Sequence, residues 1–434
     1  MKNILIIILS AVTTCFVWAQ DDTLQLTVTK AADIALQNRP DLQSLQKNIA
    51  IAENTLQKGK QQILPEIKLN GDVRYNTQLP VTILPEGFAG NAGGNSKVRF
   101  GTRNNTAVSL EYNQTLYSPA FQTDLKILKN NIETEKNRLK LQRKEVRYTV
   151  MQVYYDALLR QKEWEMNRDD QLLAARLLTV AESRYRLGTL NENDYLKIKL
   201  DYNQKEWEEK KAFRNFTTTI ELLKKEMNYY EKPLKLTEDF STGNAEAIPD
   251  TSFVHNTEIK LLQLQKQNYI FNFKKAKQEA LPTLSLTGNY TTQYQASNFN
   301  FNSTWNPFNY IGLKASLPLF SKLNHRAEKK EYMLKQQQAD LDITNKKLLL
   351  NYEYKKAIGD VTNMRYNFNY AGENYSLASK IYETDLQRYT LGKLLYSELI
   401  TTENSKLKAR KNLIQSMHDL EVAILRLEKA VASE

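Results

Sequence analysis

The sequence predicts a mixed fold: long coiled-coil α-helices joined to four membrane-type β-strands, with the whole pattern written twice in one chain. Three observations carry this. Gly occurs 14 times and Pro 10 times in 434 residues, well under the usual combined share of roughly 12%, so helices can run long without a break. Motifs in the first half recur in the second at offsets of 217 and 204 residues. Four segments alternate apolar and polar residues with the period of a strand that has two different faces.

Composition excludes several classes. Histidine occurs three times (His255, His325, His418) and cysteine once (Cys15), too few for a disulfide framework, a cysteine-rich zinc site or an iron–sulfur cluster. Carboxylate pairs are abundant on any charged helix, so no catalytic, cofactor or metal residues are expected. Mean hydropathy is −0.57, and no apolar run after residue 20 approaches the ~20 residues of a membrane-spanning helix. The net charge is +11, but 60 basic and 49 acidic residues are interspersed without a basic arm. That pattern reads as solvated helix faces rather than a nucleic-acid surface.

Met1, Lys2 and Asn3 make a short basic start, followed by an apolar core from Ile4 to Leu9 that Ala11, Val12, Phe16 and Val17 extend. Val17-Trp18-Ala19 then offers a signal-peptidase site. Residues 1–19 are therefore expected to be an export signal, cleaved before Gln20 or one residue later. Val12-Thr13-Thr14 before Cys15 lacks the small residue usual before a lipidated cysteine.

The first repeat spans 20–247. After a helix near 41–62, Leu64-Pro65 opens a strand near 66–78, and a second strand follows near 106–117. The intervening 79–104 holds Pro80, Pro85, Gly87, Gly90, Gly93, Gly94 and Gly101, which predicts a loop rather than a packed element. Gly93-Gly94-Asn95-Ser96-Lys97 lacks the order of a phosphate loop. A helix near 119–187, ~100 Å long at ~1.5 Å per residue, precedes a helix near 191–228 and a bridge over 229–247. The second repeat, 248–434, predicts a helix near 257–279, strands near 283–295 and 310–320, a long helix near 322–390 and a last helix near 394–432. Phe299, Phe301, Trp305, Phe308 and Tyr310 between its strands fit an aromatic girdle at a membrane boundary.

Within the second long helix, Leu350, Tyr354, Ala357, Val361, Met364, Phe368, Ala371, Tyr375, Ala378 and Tyr382 fall at alternating steps of four and three. That is a heptad seam. Val146, Val150, Val153 and Ala157 repeat it 204 residues earlier.

An export signal, two repeats, two strands in each, and one very long helix with two shorter ones together resemble the TolC-like outer-membrane efflux proteins. Asn38-Arg39-Pro40-Asp41-Leu42 is similar to the family's N-terminal turn, with Arg39 as an extra residue. Leu64-Pro65 and Leu281-Pro282 resemble its helix-to-strand transitions. Arg184-Tyr185-x-Leu187-Gly188 and Arg388-Tyr389-x-Leu391-Gly392 resemble its periplasmic hairpin tips. The resemblance implies a homotrimer: a coiled-coil α-helical barrel in the periplasm and a shared 12-stranded β-barrel in the outer membrane. It also implies a duct that takes cargo from an inner-membrane pump through a periplasmic adaptor, in efflux or type I secretion, with no cofactor. At the tips it points to an entrance built on Gly188, Gly392, Asp194, Tyr389, Lys393 and Glu398, where three Glu398 carboxylates would ring the axis. The family's second acid is Thr401 here and its tip arginine is Leu394, which predicts a single ring and a weaker latch. Glu398→Ala is expected to alter conductance and cation block, and the control Glu403→Ala to leave them unchanged.

Physics reaches part of this independently. Four strands cannot close a barrel, unpaired edges in lipid cost several kcal/mol per group, and known barrels start at about eight strands. The chain must then oligomerise, as a dimer with eight strands or a trimer with twelve. Ile67, Leu69, Val73, Leu110, Leu286 and Leu313 would face lipid; Glu66, Lys68, Asp72, Arg74, Glu111 and Lys314 would face the lumen. The competing reading is an exported, non-conducting coiled-coil spacer whose strands pair in a soluble head.

Overall fold

The computed structural model describes residues 23–84, 96–240, 256–298, 304–319 and 322–431. The expected signal segment with Cys15, the Gly93-Gly94 stretch, residues 241–247 of the bridge, and Phe299 and Phe301 lie outside them. The chain divides into two units, one of residues 1–45, 138–259 and 345–434 and the other of 46–137 and 260–344.

In the first unit, strand β1 (Leu24–Leu26) pairs in parallel with β6 (Leu234–Leu236). This pairing places a strand inside the expected bridge. Tyr154 Oη, fully buried, donates to the Leu26 carbonyl at 2.9 Å. Helix α1 (Val28–Asn38) is capped by Thr27, whose side chain accepts the Lys30 N–H. It ends because Arg39 precedes a proline and is pushed to extended backbone, with ψ 124°. Pro40 then opens α2 (Pro40–Gln61) at the position where a missing N–H costs nothing. The additional Arg39 is held by both Asp41 oxygens at 3.0 Å and by Glu226 at 2.7 Å. Helix α4 (Glu192–Met227) closes on Asn228 in the left-handed region, φ +49°.

Helices α3 (Phe121–Arg186), α6 (Lys322–Thr390) and α7 (Tyr396–Val431) contain no internal proline or break. Every seam residue from Leu350 to Tyr382 is buried or half-buried. Ala357 and Val361 pack with Ala423 and Leu427 of α7, and Val146, Val150 and Ala157 of α3 are at most 2% exposed. A 3–4 repeat keeps one stripe facing a partner along the helix, and that stripe is the core.

The second unit carries one antiparallel sheet in the order β2-β5-β7-β8. Its strands are β2 (Glu66–Tyr75), β5 (Asn104–Tyr117), β7 (Thr283–Ala296) and β8 (Asn306–Ser316). Strand β2 stops at Tyr75 rather than near 78, and β8 runs over 306–316 rather than 310–320. One strand from each half forms the central β5–β7 pair, and β2 and β8 are left as edges. The expected loop over 79–104 is partly ordered: β3 (Val81–Leu84) and β4 (Ser96–Arg99) pair as an antiparallel hairpin. Val81, Ile83 and Val98 supply the β-forming residues, and the Gly/Pro density that argued for a loop falls mostly between the two strands. Helix α5 (Thr257–Gln278) binds the start of α3 through the Lys275–Asp124 pair at 2.8 Å and Asn130, whose buried amide donates to the Leu264 carbonyl at 2.8 Å.

Candidate functional site

The residues singled out in the sequence fall on two surfaces: the faces of the four-stranded sheet, and the turns that end the two long helices.

Opposed residues in antiparallel pairing share a face. Ile67, Leu69 and Val73 of β2 lie opposite Tyr112, Leu110 and Thr106 of β5. Leu110 in turn opposes Tyr290, and Leu286 opposes Leu313 across β7 and β8. Thus Ile67, Leu69, Val73, Leu110, Leu286 and Leu313 all belong to one face. Glu66, Lys68, Asp72, Arg74, Glu111 and Lys314 fall on the other by the same register. On the polar face charges pair along β2, Lys68 to Glu66 at 3.1 Å and Arg74 to Asp72 at 2.9 Å. On the apolar face Leu69 and Val73 of β2 and Ile311 and Leu313 of β8 are each at least 67% exposed in the single chain, while Thr106 and Tyr294 on the same face are buried.

The long helices end in the same turn. Gly188 and Gly392 have φ of +70° and +72°. Each glycine N–H donates to the carbonyl of Tyr185 or Tyr389 at 3.0 Å. The next residue, Thr189 or Lys393, donates back to Arg184 or Arg388 at 2.9 and 2.8 Å. This double closure satisfies the last carbonyls and needs a residue that tolerates positive φ, which accounts for the glycine in both Arg-Tyr-x-Leu-Gly motifs.

The acids six residues later sit in the first turns of α4 and α7. Asn191 caps α4, accepting the Asp194 N–H at 2.8 Å and donating its amide to the Asp194 carboxylate at 2.8 Å. Glu398 is exposed, and its carboxylate accepts the Leu395 N–H at 3.4 Å. Both acids therefore serve a helix N-terminus, where negative charge is favoured. Tyr389 is half-buried, packed against Ala181, Ile198, Tyr382, Tyr396 and Leu399, with its ring 5.8 Å from that of Tyr396. Burial raises its pKa; Arg184 opposes the rise and Asp194 adds to it. Tyr389 and Asp194 are thus brought close, while Lys393 is exposed.

Glu403, the control position, is buried. It is only 6% exposed, beside Lys205 at 5%, with the ion pair at 3.9 Å. Burial first, then Asp201 and Asp170, push its carboxyl up to about 7, against opposing effects of Lys205 and Lys406. A signal existed: the 3–4 steps from Tyr396 and Leu399 land on Glu403, Lys406 and Arg410 before apolar residues resume at Leu413.

The expectation of no metal-ligand cluster also meets an exception. Glu279, His325 and Glu328 place possible ligand atoms within 4.8 Å of one another. Lys275, 3.8 Å from Glu279, competes for one of the three.

No protein-family model and no curated protein sequence matches the chain. Solved structures do. The Campylobacter jejuni CmeC outer membrane channel is similar at 16% identity and TM-score 0.72, covering 96% of this chain and 90% of that one. CusC is similar at 14% and 0.73, covering 95% and 93%. The outer membrane protein VceC of Vibrio cholerae is similar at 13% and 0.69, covering 93% and 95%. The chain therefore shares the fold of these solved structures over nearly its full length.

Proposed function

We propose that the chain is the outer-membrane duct of a tripartite efflux or type I secretion system, exported and assembled as a homotrimer. The observation that carries the reading is the sheet. It has four strands, two open edges, and one face apolar from β2 to β8 while the other is polar and charged. An apolar face of that length needs lipid or a partner, and open edges in lipid need pairing. Three copies joined β2 to β8 close twelve strands with Glu66, Lys68, Asp72, Arg74, Glu111 and Lys314 on the water-filled side. A soluble spacer would leave the row from Ile67 to Leu313 without a purpose. The likeness to CmeC and to VceC supports placing that barrel in the outer membrane.

In this reading the turns at Gly188 and Gly392 form the periplasmic entrance, closed at rest and opened by an adaptor that links the duct to an inner-membrane pump. The pump and adaptor select the cargo. Three Glu398 carboxylates converge on the axis, repel one another and attract cations.

Native mass spectrometry of the detergent-extracted protein should give a trimer of mature chains; a stable monomer retaining residues 1–19 overturns the assembly. Single-channel recording tests the entrance. Glu398→Gln keeps an acceptor for the Leu395 N–H but removes the charge, so altered conductance and cation block there report the ring rather than the cap. The exposed Glu373→Gln should behave as wild type. Traces of Glu398→Gln identical to wild type remove the entrance assignment and leave the duct standing.

A further inference from the structure

Two helices of the first unit place charge where their apolar seams should continue. In α4 the steps from Ile198 pass through Asp201, Lys205 and Glu208 before Ala212; in α7 they pass from Leu399 through Glu403, Lys406 and Arg410. The two interruptions meet. Lys205 and Glu403 are both nearly inaccessible and 3.9 Å apart, too far for a hydrogen bond. Asp170 of α3 and Asp201 of α4 are the other acids acting on Glu403.

Lys205 is the buried cation beside these acids, and Lys406 and Arg410 act on them from the margin. From α7, Lys406 sits over the Tyr382 ring at 4.3 Å, and Arg410 is engaged by Asp169 at 3.6 Å. From α6 comes the neutral Tyr382. Tyr396, at the start of α7, lies against Asp201 without a well-formed hydrogen bond. Glu208 adds further negative charge near Asp201. A cleft of about 800 Å³ opens beside the cluster; Asp170, Asp201 and Lys205 line it together with Glu163, Glu208 and the cations Arg160, Lys197, Lys211, Lys408 and Lys411, so protons and screening charge reach it from solvent. With all three carboxylates ionised, the buried Lys205 ammonium faces the buried Glu403 and the half-buried Asp170 and Asp201, and an ionised Glu403–Lys205 pair without a hydrogen bond repays its lost hydration poorly.

We propose that Asp170, Asp201, Lys205 and Glu403 form a proton-operated latch between α3, α4 and α7, tight when Glu403 holds a proton and loosened when it ionises. One proton on Glu403 leaves two carboxylates against Lys205, with Lys406 and Arg410 at the margin, and the seam closes. Burial raises the carboxyls of Asp170 and Asp201 as well, so the cluster as a whole resists full ionisation. The latch concerns helix packing and does not depend on the chain conducting.

Hydrogen exchange of the intact detergent-solubilised protein, corrected for the intrinsic pH dependence of exchange, tests it. Glu403 titrates at about 7 when packed, against 4.5 when released to water. Linkage then lowers amide protection over 198–208 and 396–410 about tenfold from pH 6 to pH 8. Glu403→Gln, which stays neutral, should hold the pH 6 protection at both values. Asp201→Asn removes a repelling charge and should move the wild-type midpoint to lower pH. Wild-type protection that is flat between pH 6 and 8 overturns the latch. So does a tenfold drop that persists in Glu403→Gln, or an Asp201→Asn midpoint that moves up. Glu403→Gln less protected than wild type at both pH values assigns the pair a register-setting role instead.

Discussion

Val73→Lys isolates the assignment of the sheet faces. Val73 is 69% exposed, opposite Thr106 on the apolar face, two to three residues from the middle of β2. That is ~8 Å along the strand at ~3.3 Å per residue, and ~6 Å from the membrane midplane once a tilt of about 45° is included. A lysine on the lipid face costs ~2–4 kcal/mol at the midplane and near zero at the interface. At half that depth the cost is about 1–2 kcal/mol per chain, or about 3–6 for the proposed trimer. The neighbouring Asp72→Lys faces the polar side and removes an exposed pair with Arg74, worth under ~1 kcal/mol. If the proposed assembly forms, quantifying heat-modifiable trimer in the outer-membrane fraction should show Val73→Lys severalfold depleted and Asp72→Lys close to wild type. Equal yields would refute the facing, or the membrane reading itself.

Two further expectations concern stability. A Cβ at Gly392 meets nothing within 4 Å, yet φ is +72°, so Gly392→Ala should lose ~1 kcal/mol through backbone strain alone. Gly359 is equally open but helical, and Gly359→Ala should gain ~0.5–1 kcal/mol. Denaturant melts giving both variants the same sign would contradict the turn geometry. His418 is held between Asp156 at 2.8 Å and Asp419 at 3.0 Å. Burial lowers its pKa, but the two carboxylate hydrogen bonds outweigh burial and the net shift is upward. Its contribution to stability is therefore full below about pH 6.5 and is lost as pH rises through the raised value. His418→Gln should cost most in acid and least in alkali, and thermal melts over a pH series with the opposite trend would exclude this charge state.

Periodic features were legible in the sequence because they are local. The seam from Leu350 to Tyr382 follows from 3.5-residue spacing, and Tyr382 is buried where that spacing put it. The sorting of Val73 from Asp72 follows from the pleat, since neighbouring strand residues must point to opposite faces. The turns at Gly188 and Gly392 were marked by glycine closing two equivalent motifs, and the structure adds their positive φ.

Tertiary structure decided what depends on partners distant in the chain. The order β2-β5-β7-β8 joins the two halves at β5 and β7, which no local pattern specifies. Strand β1 exists because Leu24–Leu26 finds Leu234–Leu236, some 210 residues away, and three residues carry too little propensity to announce themselves. Charge on a helix is silent about its neighbour: Glu398 and Glu403 lie five residues apart on α7, one in solvent and one at a helix interface. The difference arises because Glu403 occupies the stripe that packs on α4, where losing water rather than sequence sets the cost of its charge.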